Sequence, residues 1–203
     1  MEIVARDAVA RITPVVLAER LGNICRYAGA VTRWYSVLQH SLLVYRLARE
    51  EYPMHLHVQY VALLHDAPEA WTGDITRPFK KFLSDHVPQY NNIEHDMLRT
   101  ILGTFVPRFA PYFEDNTFAI MVRVKRLDKL AACAEIASGI ACLDDAGEEN
   151  NYIPECFRTV DKPSAMRILR RIMQCDRETC VDTFVEELAS MVRRFDNYTL
   201  KEY

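Results

Sequence analysis

The sequence predicts an all-α fold, a compact helical bundle in a single domain. Three observations carry this. Apolar residues recur at helical spacing through most of the chain. Extended runs of alternating β-branched residues are missing. Glycine is sparse, with 6 among 203 residues, a length that suits one domain. Hydrophobic residues make up 50% of the chain, which supplies a core and excludes intrinsic disorder.

The elements follow in order. Thr13 and Pro14 start a helix, Thr as cap and Pro in the first turn, that runs to about Arg26. A loop falls around Gly29. A second helix spans Tyr35 to Glu50 and stops before Pro53, and a third covers His57 to Asp66. Pro68 makes the chain kink or restart there, because proline loses a backbone hydrogen bond and clashes with the preceding turn. Gly73 to Pro78 reads as a loop. Further helices cover Asn91 to Phe105, Thr117 to Asp144, Pro163 to Gln174 and Arg177 to Phe195. Gly147 to Pro163 is polar and irregular, a surface loop. The stripe Val181, Phe184, Val185, Leu188, Met191 and Val192 marks an amphipathic helix that covers either the core or an oligomer interface.

Composition narrows the function. The net charge of −3 gives no chain-wide basic footprint, which argues against a nucleic-acid polymer as partner. No apolar run approaches the ~20 residues of a membrane span. The alternating start from Met1 to Ala10 does not read as a signal peptide, so a cytoplasmic protein is expected. Cys25, Cys133, Cys142, Cys156, Cys175 and Cys180 are scattered, without a CxxC pair, and read as free thiols in a reducing compartment.

The informative residues are polar ones on apolar helix faces. His40 lies among Val37, Leu43, Val44 and Leu47. Val61 to Leu64 runs straight into His65 and Asp66, and Asp128 sits between Leu127 and Leu130. A buried carboxylate is expensive unless paired or bound to metal. Taken singly, each has a plainer reading: a hydrogen-bonded core histidine, or an aspartate paired with Arg123 or Lys125. Together, two imidazoles and two carboxylates suit a divalent transition metal such as Zn, Mn, Fe, Co or Ni. Such an ion lowers the pKa of bound water and screens charge on phosphate.

The order His40, His65-Asp66, Asp128 resembles the HD-domain metal-dependent phosphohydrolase superfamily. The segments Cys25 to Ser41 and Ala62 to Lys80 resemble YfbR-type 5′-deoxynucleotidases, and more closely the small bacteriophage dATP triphosphohydrolases of the DatZ type. The resemblance implies an HD-domain bundle over residues 1–203, with a ligand-bearing core at about 15–145 and C-terminal helices at about 163–197. It implies one divalent metal (Co, Mn or Zn, or else Mg) on His40, His65, Asp66 and Asp128. The position of Glu69 is that of a group beside the metal that orients or activates water, and Asp74 that of a general acid/base. Arg26 matches a phosphate-binding arginine, and Lys80 a further phosphate-side cation that Arg77 is placed to join. Tyr27 stands where the nucleotidases carry tryptophan, beside sugar or base. Trp34 and Tyr35 read equally as core or as base-stacking residues. His86 and His95 are candidates for a second metal, as in some dinuclear relatives.

The expected activity is hydrolysis of deoxynucleotide phosphates. The extra cation at Arg77 tilts the expectation toward a dATP-preferring triphosphohydrolase that releases triphosphate. A 5′-deoxynucleotidase acting on monophosphates shares every motif residue and is the alternative. A non-catalytic nucleotide-binding scaffold is the alternative of another class. A homo-oligomer in the cytoplasm, the host's if the chain is phage-encoded, completes the expectation.

Overall fold

A computed structural model of the chain describes residues 9–87, 89–141 and 162–198, and these are helical without a named strand. Helix α1 spans Pro14–Gly22. The Thr13 hydroxyl accepts the Val16 N–H at 3.3 Å and caps it, with Pro14 in the first turn, as the sequence predicts. It ends at Gly22 rather than near Arg26, because residues 26–29 wind into a separate 3-10 turn, Arg26–Gly29. Within that turn Tyr27 (φ 58°) and Ala28 (φ 50°) adopt the left-handed conformation.

Helix α2, Val37–Glu51, opens on a capping box. The Ser36 hydroxyl accepts the Gln39 N–H at 3.2 Å, and Gln39 Oε1 accepts the Ser36 N–H at 2.9 Å. Helix α3, Leu56–Leu64, is buried at every position, and α2 is buried around most of its circumference. Helices this enclosed form the centre of a bundle. The Gln59 amide donates to the carbonyls of Tyr52 (2.7 Å) and Pro53 (3.0 Å), which fastens the α2–α3 connection.

After α3 the chain turns through 65–68 and restarts as α4, Glu69–Thr72, at the place where Pro68 interrupts the pattern. Gly73 (φ 76°) ends it. The expected loop to Pro78 is shorter: α5, Arg77–His86, takes Pro78 into its first turn, where no backbone donor is needed. Helix α6, Tyr90–Phe105, lies one residue from its expected start. Helix α7, Ala110–Ala137, begins at Ala110 rather than Thr117, with Pro111 in its first turn. It ends before Gly139 (φ 70°), not at Asp144; residues 142–144 lie outside the described set. Val31 pairs with Ala141 in an isolated bridge, so the chain after α7 returns to the Arg26–Gly29 loop.

Helices α8, Lys162–Ile172, and α9, Arg177–Asp196, close the bundle. The Asp176 carboxylate caps α9 by accepting the Thr179 N–H at 2.8 Å. The α9 stripe packs on α1, α2 and α3, so this face covers the core. Phe195 packs on Tyr60, Phe109 and Phe113, and the buried Tyr60 hydroxyl donates to the Leu102 carbonyl at 2.8 Å. The loop expected from Gly147 lies outside the described residues up to 161, and its last two positions, Lys162 and Pro163, belong to α8. Cys25, Cys175 and Cys180 are free thiols, while Cys142 and Cys156 are outside the described set. No described helix is long and apolar enough to cross a membrane.

Candidate metal centre and active site

The buried helices deliver the site. His40 comes from the middle of α2 and is fully buried. His65 and Asp66 follow directly on α3, whose apolar run leaves His65 buried and Asp66 half-buried beside it. Asp128 projects from α7. His40 Nε2 lies 3.1 Å from Asp128 Oδ1 and 3.5 Å from Asp66 Oδ2, and His65 Nε2 lies 3.2 Å from that same Asp66 oxygen. Ligand atoms of His40, His65 and Asp66 all fall within 4.8 Å of one another, and Asp128 joins them through His40.

The imidazoles are oriented from behind. His65 Nδ1 donates to the Ala62 carbonyl at 2.9 Å, and His40 Nδ1 meets the Glu135 carboxylate at 2.6 Å. Each ring therefore turns Nε2 toward the carboxylates. Both Nε2 atoms are buried without a well-aligned hydrogen-bond partner. An orphaned, inward-facing nitrogen on a ring pinned by its other nitrogen is the arrangement of a metal-ligating histidine. The donor set of two nitrogens and two carboxylates, without thiolate, fits a divalent transition metal.

The charges respond to this crowding. Burial and Arg26 alone would lower the His40 pKa, but Glu135 and Asp128 outweigh them and lift it to about 10. Burial would raise Asp66, yet His65, His40 and Arg26 hold it well below the usual carboxylate range. Burial would likewise raise Asp128, but the His40 ring beside it, with Nε2 3.1 Å away, holds it down. Glu69, in the first turn of α4, goes the other way. Burial, then Asp66 and Asp74, push it up to about 9 against Arg26 and Lys80. Its Oε2 is buried without a hydrogen-bond partner. The two catalytic candidates thus occupy different settings, because the Asp74 carboxylate accepts the Ala28 N–H at 3.2 Å.

The Arg26–Gly29 turn supplies the cation. Arg26 Nη1 lies 3.4 Å from Asp66 Oδ2, and Arg26 Nε lies 3.4 Å from Glu135 Oε2. The guanidinium stacks over the Tyr27 ring, 5.1 Å from its centroid. Two adjacent left-handed residues that are not glycine carry strain of about 1–3 kcal/mol each, held by what surrounds them. The hold on this turn is the Ala28–Asp74 bond and the Tyr27 hydroxyl, which donates to Glu135 Oε2 at 2.5 Å. Lys80, on α5, is paired with Glu94 at 2.9 Å.

Other expectations fall differently. The Tyr27 hydroxyl donates to Glu135, while its ring lies against the Arg26 guanidinium. Tyr35 is core, with its hydroxyl on Glu135 at 2.9 Å, whereas Trp34 is 56% exposed. His86 and His95 are exposed and stand outside the His40, His65, Asp66 group; His86 stacks on Phe82 instead. The Arg77 side chain lies outside the described set. The residue that sequence reasoning passes over is Glu135, a charge in the apolar run Leu130 to Ile136. It lies seven residues after Asp128, two helical turns along the same face of α7. That spacing is the signal that could have found it.

A family model described as YfbR-like 5′-deoxynucleotidase matches residues 17–192. Over 70 residues, 34% of this chain and 36% of the relative, the sequence is 41% identical to the uncharacterized protein YfdR of Escherichia coli (strain K12). Over 124 residues, 55% of this chain and 56% of the relative, it is 28% identical to the 5′-deoxynucleotidase YfbR of Salmonella arizonae. The matched stretches span about a third and about half of those relatives' lengths. The family match extends from α1 into α9 and so encloses every residue of the site, and on that coverage the chain belongs to the YfbR-like 5′-deoxynucleotidase family.

Proposed function

We propose that this chain is a divalent-metal-dependent 5′-deoxynucleotidase that hydrolyses deoxynucleoside monophosphates to deoxynucleoside and inorganic phosphate. The observation that carries it is the pair of buried, orphaned Nε2 atoms facing Asp66. His40, His65, Asp66 and Asp128 would hold the ion, with Co, Mn or Zn as the expected metals. When bound, the ion supplies a Lewis acid for a phosphoryl oxygen and lowers the pKa of water.

The chain's own residues do the rest. Arg26, with N–H donors beyond those facing Asp66 and Glu135, takes the phosphate oxygens. Glu69 orients the attacking water and accepts its proton at the carboxylate. Asp74, on the other side of Gly73, enters as the carboxylic acid, gives its proton to the departing 5′-oxygen and is left ionised, while Glu69 keeps the water's proton until solvent resets both. Two carboxyls in separate surroundings divide base and acid roles more readily than two in the same one. Holding water and phosphate together makes the attack effectively unimolecular.

The triphosphohydrolase reading has less support. A triphosphate adds charge that needs further cations, and Lys80 is already engaged by Glu94. The family match favours the monophosphate reading. Purified protein incubated with dAMP, dATP, dGTP and ATP, each with Co, Mn, Zn and Mg, tests the choice chromatographically. Deoxyadenosine and phosphate from dAMP are expected. Intact triphosphate from dATP with dAMP untouched would replace the proposal by a triphosphohydrolase. No turnover with any metal would replace it by a nucleotide-binding scaffold.

A further inference from the structure

The buried Glu135 carboxylate is the point where the metal side and the phosphate side of the site meet. Its side chain is 0% exposed, yet four side chains converge on it. Oε1 takes His40 Nδ1 at 2.6 Å and the Tyr35 hydroxyl at 2.9 Å. Oε2 takes the Tyr27 hydroxyl at 2.5 Å and faces Arg26 Nε at 3.4 Å. Three hydrogen bonds and one guanidinium contact thus engage a carboxylate that offers about four lone-pair sites. An isolated buried charge is a poor stabiliser, and an apolar side chain of similar volume serves a core as well or better. A helix face made of Ala131, Ala132, Ala134 and Leu130 had that option.

We propose that Glu135 is a positioning residue that sets both His40 and the Arg26 turn. It fixes the His40 ring so that Nε2, not Nδ1, faces Asp66 and Asp128. Through Tyr27 and Arg26 it holds the left-handed turn from which Ala28 reaches Asp74. One carboxylate thereby sets the geometry of a metal ligand, of the phosphate-side cation and of an acid/base candidate. The inference rests on the metal-site reading, and its test does not require turnover.

The experiment is a titration of the full chain, stripped of metal with chelator, with Co²⁺ alone, read by visible absorption. Glu135→Gln keeps the side chain's size but removes its charge, and its amide nitrogen cannot accept from Tyr27 or Arg26. The expected result is a ~10–100-fold weaker Co²⁺ affinity, the usual effect of losing a partner behind a metal ligand, with a changed visible spectrum. Glu135→Asp preserves the buried charge for Arg26 but draws the carboxylate back from His40. It is expected to weaken Co²⁺ at least ~10-fold as well, and serves where the glutamine variant does not fold. Co²⁺ affinity within twofold of the parent and an unaltered spectrum, in a folded variant of either kind, would overturn the proposal and leave Glu135 as a core residue. A parent that binds Co²⁺ but hydrolyses no nucleotide would defeat the nucleotidase reading while leaving Glu135's role intact.

Discussion

Replacing Glu69 with glutamine is expected to stabilise the metal-free protein near neutral pH while abolishing hydrolysis. Glu69 is buried beside Asp66 and Asp74, its Oε2 lacks a partner, and its pKa is raised to about 9. In the unfolded chain the same carboxyl returns to about 4.3. Between those values the native state holds a proton that the unfolded state has released, so stability falls as pH rises. It is fully present below the unfolded pKa and declines by up to about 1.4 kcal/mol per pH unit until the folded pKa is passed. Glutamine imitates the protonated carboxyl and has nothing to release. Its advantage should therefore be small at pH 5 and reach on the order of 2–3 kcal/mol by pH 7, less where water reaches the partly exposed side chain. Urea unfolding of both proteins in chelator at pH 5, 7 and 8.5 measures it. A difference that does not widen with pH, or a glutamine variant that is the less stable at pH 7, would refute the reasoning.

Three further outcomes follow from the same geometry. Asp66→Ala removes the carboxylate shared by both histidines, and should drop turnover to background and abolish Co²⁺ binding with the helical circular-dichroism signal retained; undiminished hydrolysis would sink the metal site. Arg26→Ala removes a charged donor of about 1.5–3 kcal/mol, so kcat/KM for dAMP should fall ~10–150-fold in steady-state assays. Tyr60→Phe strands the Leu102 carbonyl in the core and should lower unfolding free energy by about 1–3 kcal/mol in urea; an unchanged midpoint would mean that the hydroxyl contributes nothing.

The fold class was legible because apolar residues recur at helical spacing through the chain, and some helices also carry a local start signal. Thr13-Pro14, the Ser36–Gln39 box and Asp176 cap helices α1, α2 and α9 as side chains that accept backbone N–H groups. Boundaries were less legible where a proline has two roles. Pro78 closed an expected loop and Pro111 lay ahead of the helix expected from Thr117, yet both sit in first turns, where a missing N–H is harmless. The candidate ligands were legible because a charge on a buried face must be paired or hold a metal to offset its lost hydration. Tyr27 and Glu135 were not, since their pairing spans 108 residues and depends on a left-handed turn that no local pattern announces.

The charge balance of the site links Glu69 to the ion. Asp66, Glu69, Asp128 and Glu135 act on Arg26, Asp74 adds its charge beside Glu69, and Lys80 is shared with Glu94. Without a cation the cluster relieves its repulsion by keeping Glu69 protonated and His40 charged. A divalent ion supplies that relief itself, and so should release Glu69's proton and leave the carboxylate a base requires. By linkage, whatever the ion does to Glu69's proton affinity, that proton does equally to the ion's affinity. Co²⁺ should therefore bind more tightly as pH rises from 6 to 8.5, and part of that gain should vanish in Glu69→Gln, where no proton remains to be displaced. Parallel Co²⁺ titrations across that range decide it. Identical pH slopes for the two proteins would separate Glu69 from the ion and refute its release as the base that takes the water's proton.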